Sequence, residues 1–167
     1  YSEGCHPKIL EALSQYNLDQ QNGYGLDIYS ENTANIIREK TKSPQSRVHL
    51  VSGGTQANLI VISSILRPHE SVVSADTGHI FTNETGAIEA TGHKVHGVET
   101  KDGKLRPEDI QNVLDVHTNV PHQVKQKLVY ISNSTEVGTI YTKKELENLS
   151  EFCKKKNLYL FMDGARL

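Results

Sequence analysis

Apolar residues recur along the chain in two rhythms, one near every third or fourth position and one at every second, and their alternation predicts the fold class. Pro7 followed by Ile9, Leu10, Leu13 and Tyr16 predicts a short helix with proline in its first turn. An ordered loop over Asn22–Asp27 comes next, then a helix capped by Ser30 that carries Ala34 and Ile37. Arg47–Val51 alternates with β-branched character and predicts a strand that ends in Ser52-Gly53-Gly54. A helix over Thr55–Leu66 follows, closed by Pro68. The alternation then continues with a strand at Ser71–Ser74, a helix inside Asn83–Ala90 and a strand at Lys94–Val98. Pro107 opens a helix bearing Ile110, Val113 and Leu114, and Lys127–Ile131 is a strand of buried type. The last pair is a helix from Thr142, with Leu146, Leu149, Phe152 and Cys153 at helical spacing, and a strand over Tyr159–Met162. Strands separated by helices predict an α/β fold of three layers, α/β/α, around a mostly parallel sheet. Ligands bind such sheets outside the carboxyl ends of the strands. Here those ends are Gly53-Gly54, Ala75–His79, Ser132–Glu136 and Asp163–Arg166.

Composition narrows the partners. The 167 residues are 36% hydrophobic and 23% charged, which suits a globular domain, and one domain is the starting expectation. A net charge of -2 and a pI near 6.5 give no basic excess for a nucleic acid or an anionic membrane, so a small molecule is the expected partner. Apolar runs such as Leu158–Met162 fall far short of the roughly 20 residues that span a bilayer. Cys5 and Cys153 are too few for a disulfide scaffold, and the first residues carry no basic and apolar export pattern, so a reducing cytoplasm is expected. The chain lacks an initiator Met and stops just past a strand-like segment, which predicts that it is part of a longer protein.

Several polar groups fall at the carboxyl edge. Ser52-Gly53-Gly54-Thr55-Gln56-Ala57-Asn58 opens a helix where glycines let backbone N–H groups approach an anion. The segment reads either as a phosphate site or as a tight turn capped by Thr55. The dinucleotide and nucleoside-triphosphate fingerprints are both absent. Asp163 aims a carboxylate into the crevice, and Arg166 can supply it with a fork of donors; the alternative is a plain structural ion pair. His79 can serve as an acid or base, a ring-stacking group or a cap. His93 and His96 are expected at the surface, no metal-binding spacing occurs, and Lys154-Lys155-Lys156 suits a solvated helix end.

Taken together, Ser-Gly-Gly-Thr-Gln-Ala-Asn at 52–58, His79 with Glu84-Thr-Gly-Ala, Gly92-His93-Lys94 and Asp163-Gly-Ala-Arg-Leu resemble the threonine aldolase and β-eliminating lyase family. The resemblance runs in the same order along essentially the whole chain. It implies dependence on pyridoxal 5′-phosphate and the fold of the aspartate aminotransferase group, residues 1–167 forming part of the large cofactor-binding domain. By this resemblance Gly54 and Thr55 hold the cofactor phosphate, Asp163 pairs with the protonated pyridine nitrogen, and His79 stacks on the ring near the proton or hydroxyl being moved. Arg166 then binds the cofactor's phenolic oxygen or the substrate carboxylate. His122 corresponds to a histidine near the substrate hydroxyl, Ser2 to a serine at the substrate carboxylate, and Tyr24 and Asp27 to a loop that reaches the site.

The implied reaction is cleavage of the Cα–Cβ bond of a β-hydroxy-α-amino acid such as threonine to glycine and an aldehyde, in a homodimer or homotetramer. The alternatives are β-elimination from an amino acid and a non-catalytic relative that binds a phosphorylated ligand. Two departures stand out. Where many threonine aldolases have Asn-Thr-His-Asn, this chain has Asn133-Ser134-Thr135-Glu136, a carboxylate in place of a histidine. The family's cofactor-linking lysine lies beyond the stretch that ends at Leu167, so these residues alone are expected to be inactive.

Overall fold

The computed structural model describes residues 3–166, so Ser2 lies outside the described residues. They fall into two compact units that divide between Leu50 and Val51.

The first unit holds α1 (Pro7–Tyr16) and α2 (Ile28–Lys40). Proline begins α1 as expected, and Ile9, Leu10, Leu13 and Tyr16 along it are exposed. The cap of α2 is Asp27, three residues before the Ser30 that the sequence suggested. Its carboxylate accepts from both the Ser30 backbone N–H at 2.8 Å and the Ser30 hydroxyl at 2.7 Å. An anion with two acceptor oxygens satisfies a helix start better than one hydroxyl does, and the N-terminal end of the helix dipole favours its charge. These bonds hold the Asp27 carboxyl below its ordinary pKa. Residues 47–51 form no strand, because alternation makes a strand only where a neighbouring backbone completes the ladder, and no described segment pairs with them.

The second unit is built on β1 (Glu70–Ala75), β2 (Val95–Val98), β3 (Lys125–Ser132) and β4 (Tyr159–Asp163). Among the described residues these four form one sheet, entirely parallel, in the order β2-β1-β3-β4. The chain steps from β1 to one side and returns on the other, so the winding reverses between β1 and β3, and parallel sheets bind ligands at the carboxyl ends beside such a reversal. Alternate residues face opposite layers. Val72, Leu128 and Tyr130 pack with Ile62 and Leu66, from α3 (Gly54–Ile65) and its end, and with Ile80 and Ile88. Val73, Ala75, Val129 and Ile131 pack with Ile110 of α5 (Pro107–Val116) and with Leu149 and Cys153 of α6 (Lys143–Lys155). Two apolar faces on one sheet make the three layers. Each fully buried Val, Leu or Ile contributes roughly 1.5–3 kcal/mol.

The helix expected inside 83–90 is absent. Thr85 and Gly86 both have positive φ, 51° and 75°, which breaks any helix there. A short helix α4 (His79–Thr82) forms earlier instead, and a 3-10 turn over Glu89–Thr91 follows. Gly97 lets β2 approach α4, since a Cβ there would lie 2.5–2.8 Å from the Phe81 ring. His93 and His96 are buried, contrary to expectation, because elements cover both faces of the near end of β2. His96 Nε2 lies 3.1 Å from Ser71 Oγ, and the His117 ring meets its ring edge-on at 4.5 Å. Burial, with His117 and Lys94 adding to it, pushes the His96 pKa down to about 4. Thr142 and Glu145 cap α6 reciprocally, so Thr142 is the cap and Lys143 the first helical residue.

Candidate active site

The carboxyl edge of the sheet gathers polar groups from four places in the sequence. Asp163 is the last residue of β4, and the register sets it beside Ser132 at the end of β3. Its Oδ2 accepts from the Tyr130 hydroxyl at 2.8 Å and from Asn58 Nδ2 at 3.4 Å, while Oδ1 accepts from the Ala165 N–H at 3.0 Å. Tyr130 is buried against Phe161, with ring centroids 5.6 Å apart. Burial, with the Asp163 charge adding to it, raises the Tyr130 pKa, so the phenol keeps its proton and remains a donor.

Asn58 sits early in α3, and its amide also donates to Glu84 Oε1 at 2.6 Å. The same oxygen lies 2.9 Å from His79 Nδ1 at the start of α4. His79, Glu84, Asn58, Asp163 and Tyr130 therefore form one continuous hydrogen-bonded row at the carboxyl edge of the sheet. The expected pairing of Asp163 with Arg166 does not occur. Arg166 turns to Glu136, 3.8 Å away, and donates to the Ser134 carbonyl at 3.3 Å, while Ser132 Oγ donates to Glu136 at 2.8 Å. The physical reason is local: Asp163 is already supplied by neutral donors, whereas Glu136 is the nearby anion that still gains from a cation.

The start of α3 is open. Gly53 caps it without any side-chain hydrogen bond, so Thr55 is a first-turn residue, and the expectation of a Thr-capped turn is corrected. A Cβ added to Gly53 or Gly54 would meet nothing within 4 Å. The first N–H groups of a helix have no partner within it, and here they border open space on the same edge as Asn58. The donor set fits pyridoxal phosphate: free backbone N–H groups and the Thr55 hydroxyl suit a phosphate, and a carboxylate without a cation suits a protonated pyridine nitrogen.

His122 stands apart from this row. It precedes the amino end of β3, whereas the row lies at the carboxyl ends, and β3 between them is eight residues long. Tyr24 and Asp27 belong to the first unit, where Asp27 caps α2 and Tyr24 is exposed. Reasoning from the sequence assigned no role to Asn58, Glu84, Tyr130 or Glu136. Tyr130 had a signal, since a phenol in a buried strand demands a polar partner.

Known proteins resemble the chain in sequence and in fold. Residues 4–167 match the family described as beta-eliminating lyase. A low specificity L-threonine aldolase of Pseudomonas aeruginosa is 32% identical over 99% of this chain and 48% of its own length. The enzyme of the same name from another Pseudomonas is 34% identical with the same coverage. A solved structure of Leishmania major threonine aldolase superposes with a TM-score of 0.96 at 54% identity, covering 99% of this chain and 48% of that one. The chain thus spans about half the length of the curated relatives it matches.

Proposed function

Because the chain belongs to the beta-eliminating lyase family, we propose that the full protein is a pyridoxal-phosphate-dependent lyase. It cleaves the Cα–Cβ bond of a β-hydroxy-α-amino acid such as threonine to glycine and an aldehyde. The observation that carries this reading is the row from His79 to Asp163 at the carboxyl edge, beside the open start of α3. It is supported by the similarity to threonine aldolases.

When bound, pyridoxal phosphate supplies an electron-withdrawing ring that takes up the electron pair of a bond broken at the substrate α-carbon. Gly54 and Thr55 hold the phosphate with first-turn N–H groups and a hydroxyl, favoured by the helix dipole. Asp163 keeps a proton on the ring nitrogen, and Tyr130 fixes the angle of that carboxylate. His79 receives the proton of the substrate hydroxyl. Arg166, half-exposed and held by Glu136, binds the substrate carboxylate or the cofactor's phenolic oxygen. Residues 1–167 belong to the large cofactor-binding domain. A cytoplasmic homo-oligomer acting on small amino acids completes the reading, and no helix among the described residues is long and apolar enough to cross a membrane.

The test is borohydride reduction of the full-length protein with pyridoxal phosphate, peptide mass mapping, and product analysis with threonine. One pyridoxyl-lysine and glycine release support the proposal. An adduct with a keto acid and ammonia as products means β-elimination instead, and no adduct leaves a non-catalytic relative.

A further inference from the structure

We propose that Glu84 and Asn58 are positioning residues that set His79 as a proton acceptor at Nε2, an inference that rests on the lyase reading above. The Glu84 side chain is wholly buried, and its Oε2 has no hydrogen-bond partner among the described residues. All of its bonding falls on Oε1, which faces His79 Nδ1 at 2.9 Å and Asn58 Nδ2 at 2.6 Å. An ionised carboxylate only accepts, so Nδ1 carries the hydrogen of the first bond. In a neutral imidazole the other nitrogen is then bare. Nε2 makes no hydrogen bond to any described residue and is the atom free to take a proton.

Asn58 does the second part of the work. Its one NH₂ group has two hydrogens, directed at Glu84 Oε1 and, more loosely, at Asp163 Oδ2. It therefore stands between two carboxylates and ties the histidine to the residue assigned to the ring nitrogen. α3, α4 and β4 contribute one member each, so His79 and Asp163 are held in a common frame built from different parts of the chain. A buried acid that binds its histidine through a single oxygen fixes the tautomer, whereas a histidine left to solvent mixes both.

The experiment uses the full-length protein labelled with [15N]histidine, without cofactor or substrate. Long-range 1H–15N spectra are recorded at about pH 8.5, above the ordinary histidine pKa of about 6.5. His79 is assigned by its loss in His79→Gln. The expected result is an Nδ1–H, Nε2-bare signature in the wild type. Glu84→Gln keeps an acceptor oxygen and retains the signature. Glu84→Leu loses it and lowers kcat/KM by on the order of 10²-fold, the scale of a general base that is no longer poised. An Nε2–H wild type overturns the proposal even if Glu84→Leu does not fold, and so does an unchanged tautomer in a folded Glu84→Leu. A Glu84-dependent tautomer in a protein that forms no pyridoxyl adduct leaves the positioning intact and refutes the reaction. An adduct with a Glu84-independent tautomer does the reverse.

Discussion

Asn58→Asp is nearly isosteric and replaces the bridging amide by a third carboxyl group. In the native arrangement the Asn58 amide nitrogen is 2.6 Å from one Glu84 oxygen and 3.4 Å from one Asp163 oxygen, with the residue 1% exposed. At an effective dielectric of about 20, two unit charges 2.6 Å apart repel by about 6 kcal/mol. Holding a proton at pH 7 on a carboxyl of ordinary pKa about 3.9 costs about 4 kcal/mol. The smaller cost wins, so the introduced group folds in its protonated form and donates its one hydrogen to Glu84. Its pKa is raised on folding; the stability linked to it is fully present below about pH 3.9 and is lost as the pH rises. The expected penalty relative to wild type is about 4 kcal/mol at pH 7, shrinking by about 1.4 kcal/mol for each unit the pH falls towards 4. Urea unfolding of the full-length wild type and variant at several pH values between 5 and 8 measures it. A penalty under about 1 kcal/mol, or one that does not change between pH 5 and 7, refutes the reasoning, since Asn58 then does not stand against an ionised carboxylate.

Three further outcomes are expected. Asp163→Asn keeps the fold but loses the anion, so turnover of the full-length protein falls by about 10²-fold or more; unchanged cofactor affinity and turnover, by spectrophotometric titration and product assay, mean a purely structural carboxylate. His96 has a folded pKa of about 4 against an ordinary 6.5, so the unfolded chain binds the extra proton and stability falls as the pH drops through that window. His96→Gln removes up to about 3 kcal/mol of this acid loss, read as a flatter dependence of the urea midpoint on pH between 6.5 and 4. Gly97→Ala forces a methyl group into the Phe81 ring and destabilises by about 1–3 kcal/mol, and Phe81→Ala in the same protein restores most of it, checked by thermal unfolding.

The architecture was largely legible because it rests on local rhythm. The β1, β3 and β4 strands, and α3, α5 and α6, lie within a few residues of their expected bounds, since each buries a face written into its own sequence. Failures came where local preference met a nonlocal demand. Residues 47–51 alternate correctly but have no ladder to join among the described residues. The stretch 83–90 has helix-forming residues, yet Glu84 is buried in the site and the chain turns through positive φ beside it. His96 was expected at the surface, but the segment after α5 brings His117 over it.

The candidate site divides in the same way. Gly53-Gly54-Thr55, His79 and Asp163 announce themselves, because a glycine pair opening a helix and polar residues ending apolar strands are patterns of neighbouring positions. What no local pattern contains is the partner of each group. Asp163 lies three positions from Arg166 in sequence but bonds to Tyr130 and Asn58, which lie 33 and 105 positions away. Glu84 meets Asn58 across 26 positions. The sequence by itself determined the elements and the edge of the sheet where the chemistry falls, because both follow from periodicity. Only the tertiary structure decided which donor meets which carboxylate, because a hydrogen bond depends on distances of about 3 Å that packing sets between elements far apart in the chain.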